Sequence, residues 1–452
     1  MFRHCFSKRY CEKAFKGVSH TTLNPEGPGV IRIHLVPCKE PWKDPSIVII
    51  NGQDVIPINS GWAILLNALI DEINPYHGRE ITEKDAQDII NAAIKTATKV
   101  FPMTSKRRLR NDLEIIIESL MAVAYGKEPP VEIGYIPLGE YAPLMKAPHR
   151  MDVMVSAMTK DGKWHCNQKC IHCYAAGQSE ADTAELSTEE WVKVIQKLKD
   201  IGIPQITFTG GEPTMRPDLV ELIDQAQWFV TRLNTNGIKL SKELCNQLRE
   251  ASLDSVQITF YSNDEGVHNK LVGAPMYAKT VEGIKNALEA GLAVSINTPL
   301  CTENRDYVST LKFLRDMGVT YVTCSGLIVT GNARKESSIS TQLTGDELYQ
   351  ILQDAVHFCN ENHMEIAFTS PGWIEEEKLR ELGLMVPSCG ACLSNMAVAP
   401  NGDVVPCQSW LSGDPLGNML TDDWETIWNS KRCSDIRTFS GEMKATCPLR
   451  EM

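Results

Sequence analysis

Cys166, Cys170 and Cys173 stand in the stretch WHCNQKCIHCY at the spacing C-x3-C-x2-C, close enough for a single loop to gather three thiolates. A cubane [4Fe–4S] cluster is held by cysteine thiolates and usually needs four, so a tight triplet with no fourth cysteine nearby leaves one iron without a protein ligand. An open iron can bind a substrate or a cofactor. The same residues permit two other readings: a zinc knuckle completed by His165 or His172, or three unligated thiols in a reducing compartment.

A second motif, QITFTGGEPTMRPDL, reads as a buried strand over 205–209 that ends in Gly210, Gly211, Glu212 and Pro213, with a helix from about Arg216. Two glycines at a strand end let the backbone approach a ligand closely, because neither carries a Cβ. Together with Tyr174 directly after the last cysteine of the triplet, this pattern resembles the radical S-adenosylmethionine (radical SAM) superfamily. The resemblance implies that SAM chelates the open iron through its amino and carboxylate groups, and that an electron from the cluster splits the sulfonium to give a 5′-deoxyadenosyl radical. It implies a reductant such as flavodoxin or ferredoxin. By the same resemblance Cys166, Cys170 and Cys173 hold the catalytic cluster, and Gly210, Gly211 and Glu212 meet the methionyl amino group. Asn236 and the Tyr261–Ser262 region face ribose and carboxylate, Asn297 the ribose, and Leu327 with Tyr174 the adenine.

The surrounding sequence must position these groups. From about residue 151, β-rich runs alternate with amphipathic helical segments: VMVSAM, QITFTGG, TRLNTNG, SVQITFYS, AVSINTPL and TYVTCSGL each precede a helix. Six β–α units in succession argue for right-handed parallel crossovers and a sheet buried on both faces. Periodicity does not choose between an open sheet and a barrel. The resemblance implies an α/β fold of the partial (β/α)6, TIM-type barrel over 150–370, with reactive groups at the carboxyl ends of the strands. A polar residue in that place also serves as a helix cap or turn residue.

Downstream, SCGACLSNMAVAPNGDVVPCQSW supplies Cys389, Cys392 and Cys407, with Asn401-Gly402 turning a hairpin between MAVAP and DVVPC. A C-x2-C pair with a cysteine returned across a hairpin is a metal-site pattern. The C-x9-G-x4-C spacing from Cys392 through Gly402 to Cys407, followed by WETIWNS, resembles the SPASM/twitch extensions that hold auxiliary [4Fe–4S] clusters. Their pattern continues past the position of Cys447 with more cysteines, where this sequence reads CPLREM, so one auxiliary cluster is expected over 385–452. Its expected ligands are Cys389, Cys392 and Cys407, with Cys447 or Cys433 as the fourth or an open iron. A four-thiolate zinc ribbon is the alternative. Cys245, Cys301, Cys324 and Cys359 read as buried hydrophobes.

Residues 1–145 read as a separate α+β domain. VIRIHLV, SIVIING and QDVIPI are expected strands, the last two joined at Asn51-Gly52, and three helices follow, the second capped by Thr82. The order resembles the winged-helix peptide-recognition elements fused to peptide-modifying radical SAM enzymes, or the domain simply covers the open side of the barrel. In the first case a leader peptide adds to the sheet as a strand.

With 45 basic against 57 acidic side chains and a net charge of −12, a nucleic-acid-binding surface is not expected. MFRHCFSKRY lacks the apolar core of a signal peptide and no run is long enough to span a bilayer, which predicts a cytoplasmic protein without membrane contact. Fifteen cysteines in that compartment point to metal ligation rather than disulfides. The expected activity is hydrogen-atom abstraction from a ribosomally made peptide, giving a crosslink, thioether, epimer or oxidised product. A radical enzyme acting on a carbohydrate, tetrapyrrole or cofactor precursor, and a non-catalytic Fe–S or zinc scaffold, are the alternatives.

Overall fold

A computed structural model describes residues 17–23, 30–442 and 446–450. The stretch MFRHCFSKRY lies outside the described residues. The chain divides into two compact units, one of residues 1–147 with 199–204 and one of 148–198 with 205–452. Among the described residues no helix is long and apolar enough to cross a membrane.

In the first unit β1 (Ser19–Leu23), β2 (Ile31–Val36), β3 (Ser46–Ile50) and β4 (Asp54–Ile58) form an antiparallel meander in that order. Asn51 and Gly52 turn β3 into β4 with φ of 51° and 70°. Such φ values are those a tight hairpin turn requires, and Asn and Gly reach them at little steric cost. β1 is a strand beyond the three expected from sequence; its SHTTL offers no apolar alternation, and pairing with β2 from Ser19↔Leu35 to Leu23↔Ile31 holds it. Helices α1 (Ser60–Ile73), α2 (Glu83–Val100) and α3 (Lys106–Ala124) follow. Thr82 and Asp85 cap α2 reciprocally, side chain to backbone in both directions. Leu35, Val48 and Ile50 of the sheet share one apolar core with Leu65, Leu66, Ala97, Leu113 and Ile116 of the helices.

The second unit is built on β5 (Arg150–Ser156), the short hairpin β6 (Thr159–Lys160) and β7 (Lys163–Trp164), and then β8 (Gln205–Gly210), β9 (Val230–Thr235), β10 (Ser255–Thr259), β11 (Ala293–Pro299), β12 (Tyr321–Ser325), β13 (Glu365–Phe368), β14 (Asn395–Val398), β15 (Asp403–Val405) and β16 (Gly417–Asn418). The large sheet runs β13-β12-β11-β10-β9-β8-β5-β14-β15-β16. β5 and β8 to β13 pair in parallel, and β13 and β16 are edges, so the α/β sheet is a barrel that does not close. The six expected β–α units are present, and β13 adds a seventh parallel strand. The expected 401–402 hairpin joins β14 to β15, with Ala397 opposite Val405. β14 extends the sheet by pairing in parallel with β5, Asn395 opposite Arg150.

The two faces of this sheet differ in polarity. Val153, Ile206, Phe208, Leu233, Val256, Ile258, Ile296 and Val322 are buried completely, as strands sandwiched under crossover helices require. The alternate positions, among them Asp152, Thr207, Arg232, Asn234, Gln257, Asn297 and Thr323, line a cavity of about 540 Å³. An ordinary parallel α/β barrel fills this space with branched apolar side chains; here it is hollow and polar.

His268, on the helix Glu265–Val272, is fully buried. Its Nδ1 accepts from Tyr261 N at 3.4 Å, and its ring lies 4.9 Å from that of Phe260 and 5.7 Å from that of Tyr277. Burial lowers its pKa from 6.5 to about 4. Between those values the unfolded chain binds the proton and the folded chain does not, so stability falls as pH falls through that window. Between about pH 7 and 5 the native protein is expected to lose on the order of 1–2 kcal/mol more than a His268→Leu variant. Urea titrations at both pH values measure this, and parallel losses would contradict it.

Candidate functional site

The cysteine triplet lies on an irregular loop between β7 and the helix Thr188–Ile201, and backbone contacts from two sides give it its shape. Lys169 N and Ile171 N donate to the carbonyls of Val272 and Leu271, both at 3.0 Å, using acceptors that the end of the helix Glu265–Val272 leaves free. Gly273, with φ of 67°, closes that helix, and a Cβ there would stand 2.5 Å from Lys169 O. From the other side, segment 330–341 clasps the loop. Asn332 N donates to Cys173 O at 2.8 Å and Asn332 Nδ2 to Cys170 O at 3.1 Å. Ser338 Oγ donates to Ile171 O at 2.8 Å, and Thr330 Oγ1 to Tyr174 O at 3.2 Å. Gly331 sits at φ of 57°, where a Cβ would press on the carbonyl oxygens of Cys173 and Tyr174.

Cys166, Cys170 and Cys173 all line the cavity. Burial pushes the Cys166 thiol up to about 12, against backbone N–H donors from Gln168 and Asn167. It raises Cys170 well above the ordinary value, with Cys173 and Cys166 adding to the shift. Burial also raises Cys173, opposed by the N–H groups of Ala175 and Ala176. Cysteines that line a cavity and meet backbone N–H donors suit thiolates bound to a metal cluster. Of the rings proposed for a zinc knuckle, that of His172 is engaged elsewhere, its Nε2 2.7 Å from Thr341 Oγ1, and His165 Nε2 lies 3.9 Å from Glu185 Oε1. Among the described residues, no three His, Cys, Asp or Glu side chains converge as ligands of one metal ion would.

The Gly210–Glu212 turn borders the same cavity. Gly210 has φ of 137°, and at both glycines a Cβ would strike the Ser156–Ala157 backbone, so the turn is pressed flat on the end of β5. Glu212 is buried and faces away from solvent. Its Oε1 accepts from Thr214 N at 3.0 Å, Thr214 Oγ1 at 2.5 Å and Thr235 Oγ1 at 2.6 Å, and its Oε2 from Asn236 N at 2.8 Å. Burial raises its pKa, and those donors oppose the shift. The carboxylate thus ties the turn to the end of β9. Asn236 carries the tie onward, its Nδ2 donating to Asn167 Oδ1 of the cysteine loop at 2.6 Å.

The other candidates divide. Tyr174, Asn236, Asn297 and Leu327 line the cavity, with Asn297 Oδ1 accepting from Thr323 Oγ1 at 2.9 Å. Leu327 packs with Tyr261, Leu271 and Cys301 against Cys170. Ser262 is outside the cavity lining; its Oγ accepts from Asp264 N at 3.0 Å in the turn before the helix Glu265–Val272. Cys389, Cys407 and Cys447 line the cavity, and burial pushes Cys407 up to about 12, against N–H donors from Ser409 and Trp410. Cys392 and Cys433 are fully buried behind them. Cys392 donates its S–H to Cys433, which that bond and the nearby Arg437 hold below the ordinary thiol range. Arg437 Nη1 lies 3.6 Å from Cys433 Sγ.

The clasp itself, Thr330, Gly331, Asn332 and Ser338, escaped the sequence reading. Its polar residues show no period; the Gly331-Asn332 pair after a strand was the available signal, one that marks any turn.

A family model described as the radical SAM superfamily matches residues 165–314, and one described as an iron-sulfur cluster-binding domain, SPASM, matches 389–449. A PqqA peptide cyclase of Bradyrhizobium diazoefficiens is 34% identical over 293 residues, 62% of this chain and 75% of that protein. An AdoMet-dependent heme synthase of Oleidesulfovibrio alaskensis is 28% identical over 282 residues, 58% of this chain and 71% of that protein. The crystal structure of Streptococcus suis SuiB bound to the precursor peptide SuiA aligns with a TM-score of 0.60 at 14% identity, covering 90% of this chain and 92% of that one.

Replacing Gly331 by Ala is expected to halve, at least, the iron retained by the cysteine loop after anaerobic reconstitution, while Gly291→Ala leaves it unchanged. Gly291 shares a positive φ, 77°, with nothing within 4 Å of the added Cβ, so it separates backbone strain from collision with the loop. Equal iron in the two variants would contradict the clasp.

Proposed function

Since the chain belongs to the radical SAM superfamily and carries a SPASM cluster-binding domain, we propose that it is an oxygen-sensitive enzyme that removes a hydrogen atom from a peptide side chain. When bound, a [4Fe–4S] cluster with SAM supplies the 5′-deoxyadenosyl radical for that step. Cys166, Cys170 and Cys173 are proposed to hold this cluster, and an auxiliary [4Fe–4S] cluster is proposed on Cys389, Cys407 and Cys447 with Cys392 or Cys433 close behind. The observation that carries the reading is that thiols from these two distant stretches line one cavity together with the Gly210–Glu212 turn.

The chain's own residues have distinct tasks in this scheme. The clasp of 330–341 and the end of the helix Glu265–Val272 fix the cysteine backbone. Glu212 and Asn236 hold the glycine turn against the cysteine loop, leaving its backbone near a ligand in the cavity. The barrel wall keeps bulk water from a reactive intermediate. The domain boundaries 1–145, 150–370 and 385–452 are proposed to correspond to these tasks.

A peptide substrate is supported by the PqqA peptide cyclase and by SuiB with its precursor peptide. In the first unit, β1 and β4 are the edges of the meander among the described residues, and an edge accepts a leader as an added strand. A second reading, a small-molecule substrate, is favoured by the cavity of about 540 Å³, a size usual for small ligands, and by the heme synthase relative.

Anaerobically reconstituted, reduced protein is expected to cleave SAM to 5′-deoxyadenosine, and Cys170→Ala is expected to lower that rate at least about a hundredfold. Cleavage by the variant at the native rate would remove the triplet from the chemistry. A native protein without cleavage would leave an Fe–S or zinc scaffold.

A further inference from the structure

The floor of the barrel carries a buried guanidinium whose charge Asp152, shared with Arg150, only partly offsets. Arg232 of β9 lines the cavity, its Nε is buried without a hydrogen-bond partner, and no ion pair of Arg232 occurs among the described residues. Burial lowers its pKa, with Arg150 adding to the shift and Tyr321 and Asp152 opposing it, so its surroundings do not solvate the charge as water would. The other candidates for neutralising it are engaged. Asp152 is ion-paired with Arg150, Nε lying 2.9 Å from Oδ1 and Nη2 donating to Oδ2 at 3.3 Å, while Oδ1 itself accepts no hydrogen bond. Glu212 takes four donors, two from Thr214 and one each from Thr235 and Asn236. The remaining arginine of the lining, Arg450, stacks on Trp373, 4.6 Å from its ring centre.

The neighbours of Arg232 are also unsatisfied. Thr207 stands opposite it in the register of β8, and Asn234 is the next residue of β9 on the same face; Thr207 Oγ1 and Asn234 Oδ1 are buried without partners. Buried polar atoms in folded proteins nearly always find partners. Two such atoms beside a guanidinium whose own Nε is also unpartnered, on the wall of a cavity, describe a place where a ligand supplies the partners.

We propose that Arg232 and Thr207 form the receptor for a single carboxylate of the substrate, at the floor of the barrel. A guanidinium offers two parallel N–H donors to a carboxylate, the Thr207 hydroxyl donates a third bond, and Asn234 accepts from a donor next to the carboxylate. One unbalanced positive charge matches a monoanion; a phosphate dianion would need the second charge that Asp152 has already neutralised at Arg150. Arg232 on β9 and Asn236 at the mouth, just past the end of that strand, are four residues apart, or about 13 Å of extended chain. The substrate therefore presents its reacting carbon toward the cysteine loop with its carboxylate buried below. An acidic side chain or chain end of a peptide has this form, and so does a small carboxylic acid. The inference rests on the reading of the cavity as the substrate chamber of a radical enzyme.

The test is calorimetric titration of the reconstituted holoenzyme, saturated with SAM and without reductant, with glutarate, its neutral analogue glutaramide, and methyl phosphate. SAM occupancy removes the cofactor's own carboxylate site from the measurement. Glutarate is expected to bind at least about tenfold more tightly than either analogue, Arg232→Gln to weaken it about tenfold or more, and Arg232→Lys to restore part of the loss. Iron per chain verifies that each variant is folded. Should Arg232→Gln lose its iron, Thr207→Val, which keeps the charge and the shape, is expected to weaken glutarate about threefold. Absence of glutarate binding up to about 10 mM, equal binding of glutaramide, tighter binding of methyl phosphate, or unaltered affinity in the folded variants would overturn the proposal. SAM cleavage by the native protein is assayed separately, so failure of the radical reading and failure of the carboxylate receptor give different results.

Discussion

Everything in the candidate site depends on holding a loop without regular structure in one conformation. The cysteine loop has no helix or strand to fix it, so its carbonyls and amides must find partners elsewhere, and a buried backbone group without one is costly. Val272 and Leu271 take two of its N–H groups; Asn332, Ser338 and Thr330 supply donors to four of its carbonyls. The three cysteines of the loop so held line the cavity. This explains why glycine stands at 273 and 331: at each position a Cβ would occupy the space the loop backbone uses.

The same logic organises the rest of the cavity wall. Glu212 accepts four hydrogen bonds from Thr214, Thr235 and Asn236, which makes it a brace between two strand ends. The resemblance had assigned the Gly-Gly-Glu turn to the methionyl amino group, and the geometry leaves the backbone of that turn, with two glycines flat against β5, as the part exposed for such contact. The barrel interior follows the opposite rule from a packed core. Its polar lining costs stability unless satisfied, and the atoms left unsatisfied concentrate around Arg232.

Much of this was legible in the sequence where a local rule decides the structure. The hairpins at Asn51-Gly52 and Asn401-Gly402, the Thr82 cap and the six β–α units rest on turn chemistry, capping or periodicity, and each element formed where those signals stand. The elements that escaped are short or depend on distant partners. β1 reads SHTTL and exists through its pairing with β2; β13 is four residues, EIAF; β14 joins β5 across most of the unit's sequence. The clasp of 330–341 is polar and aperiodic. For the site, the cysteine spacing was informative, whereas the separation of Cys389, Cys407 and Cys447 from the buried pair Cys392 and Cys433 depends on how the 433 helix packs, which spacing does not encode. The alternation that points Arg232 inward was visible in TRLNT, yet its lack of a counter-ion is a property of the assembled barrel.

The central claim is that the clasped triplet binds its own cluster, separately from the C-terminal cysteines. Iron and sulfide per chain, measured on anaerobically reconstituted native protein beside a variant with Cys166, Cys170 and Cys173 all replaced by Ala, test it most directly. The expected counts are about eight irons in the native protein and about four in the variant, with sulfide in step. An unchanged count in the variant, or zinc in place of iron in the native protein, would contradict it.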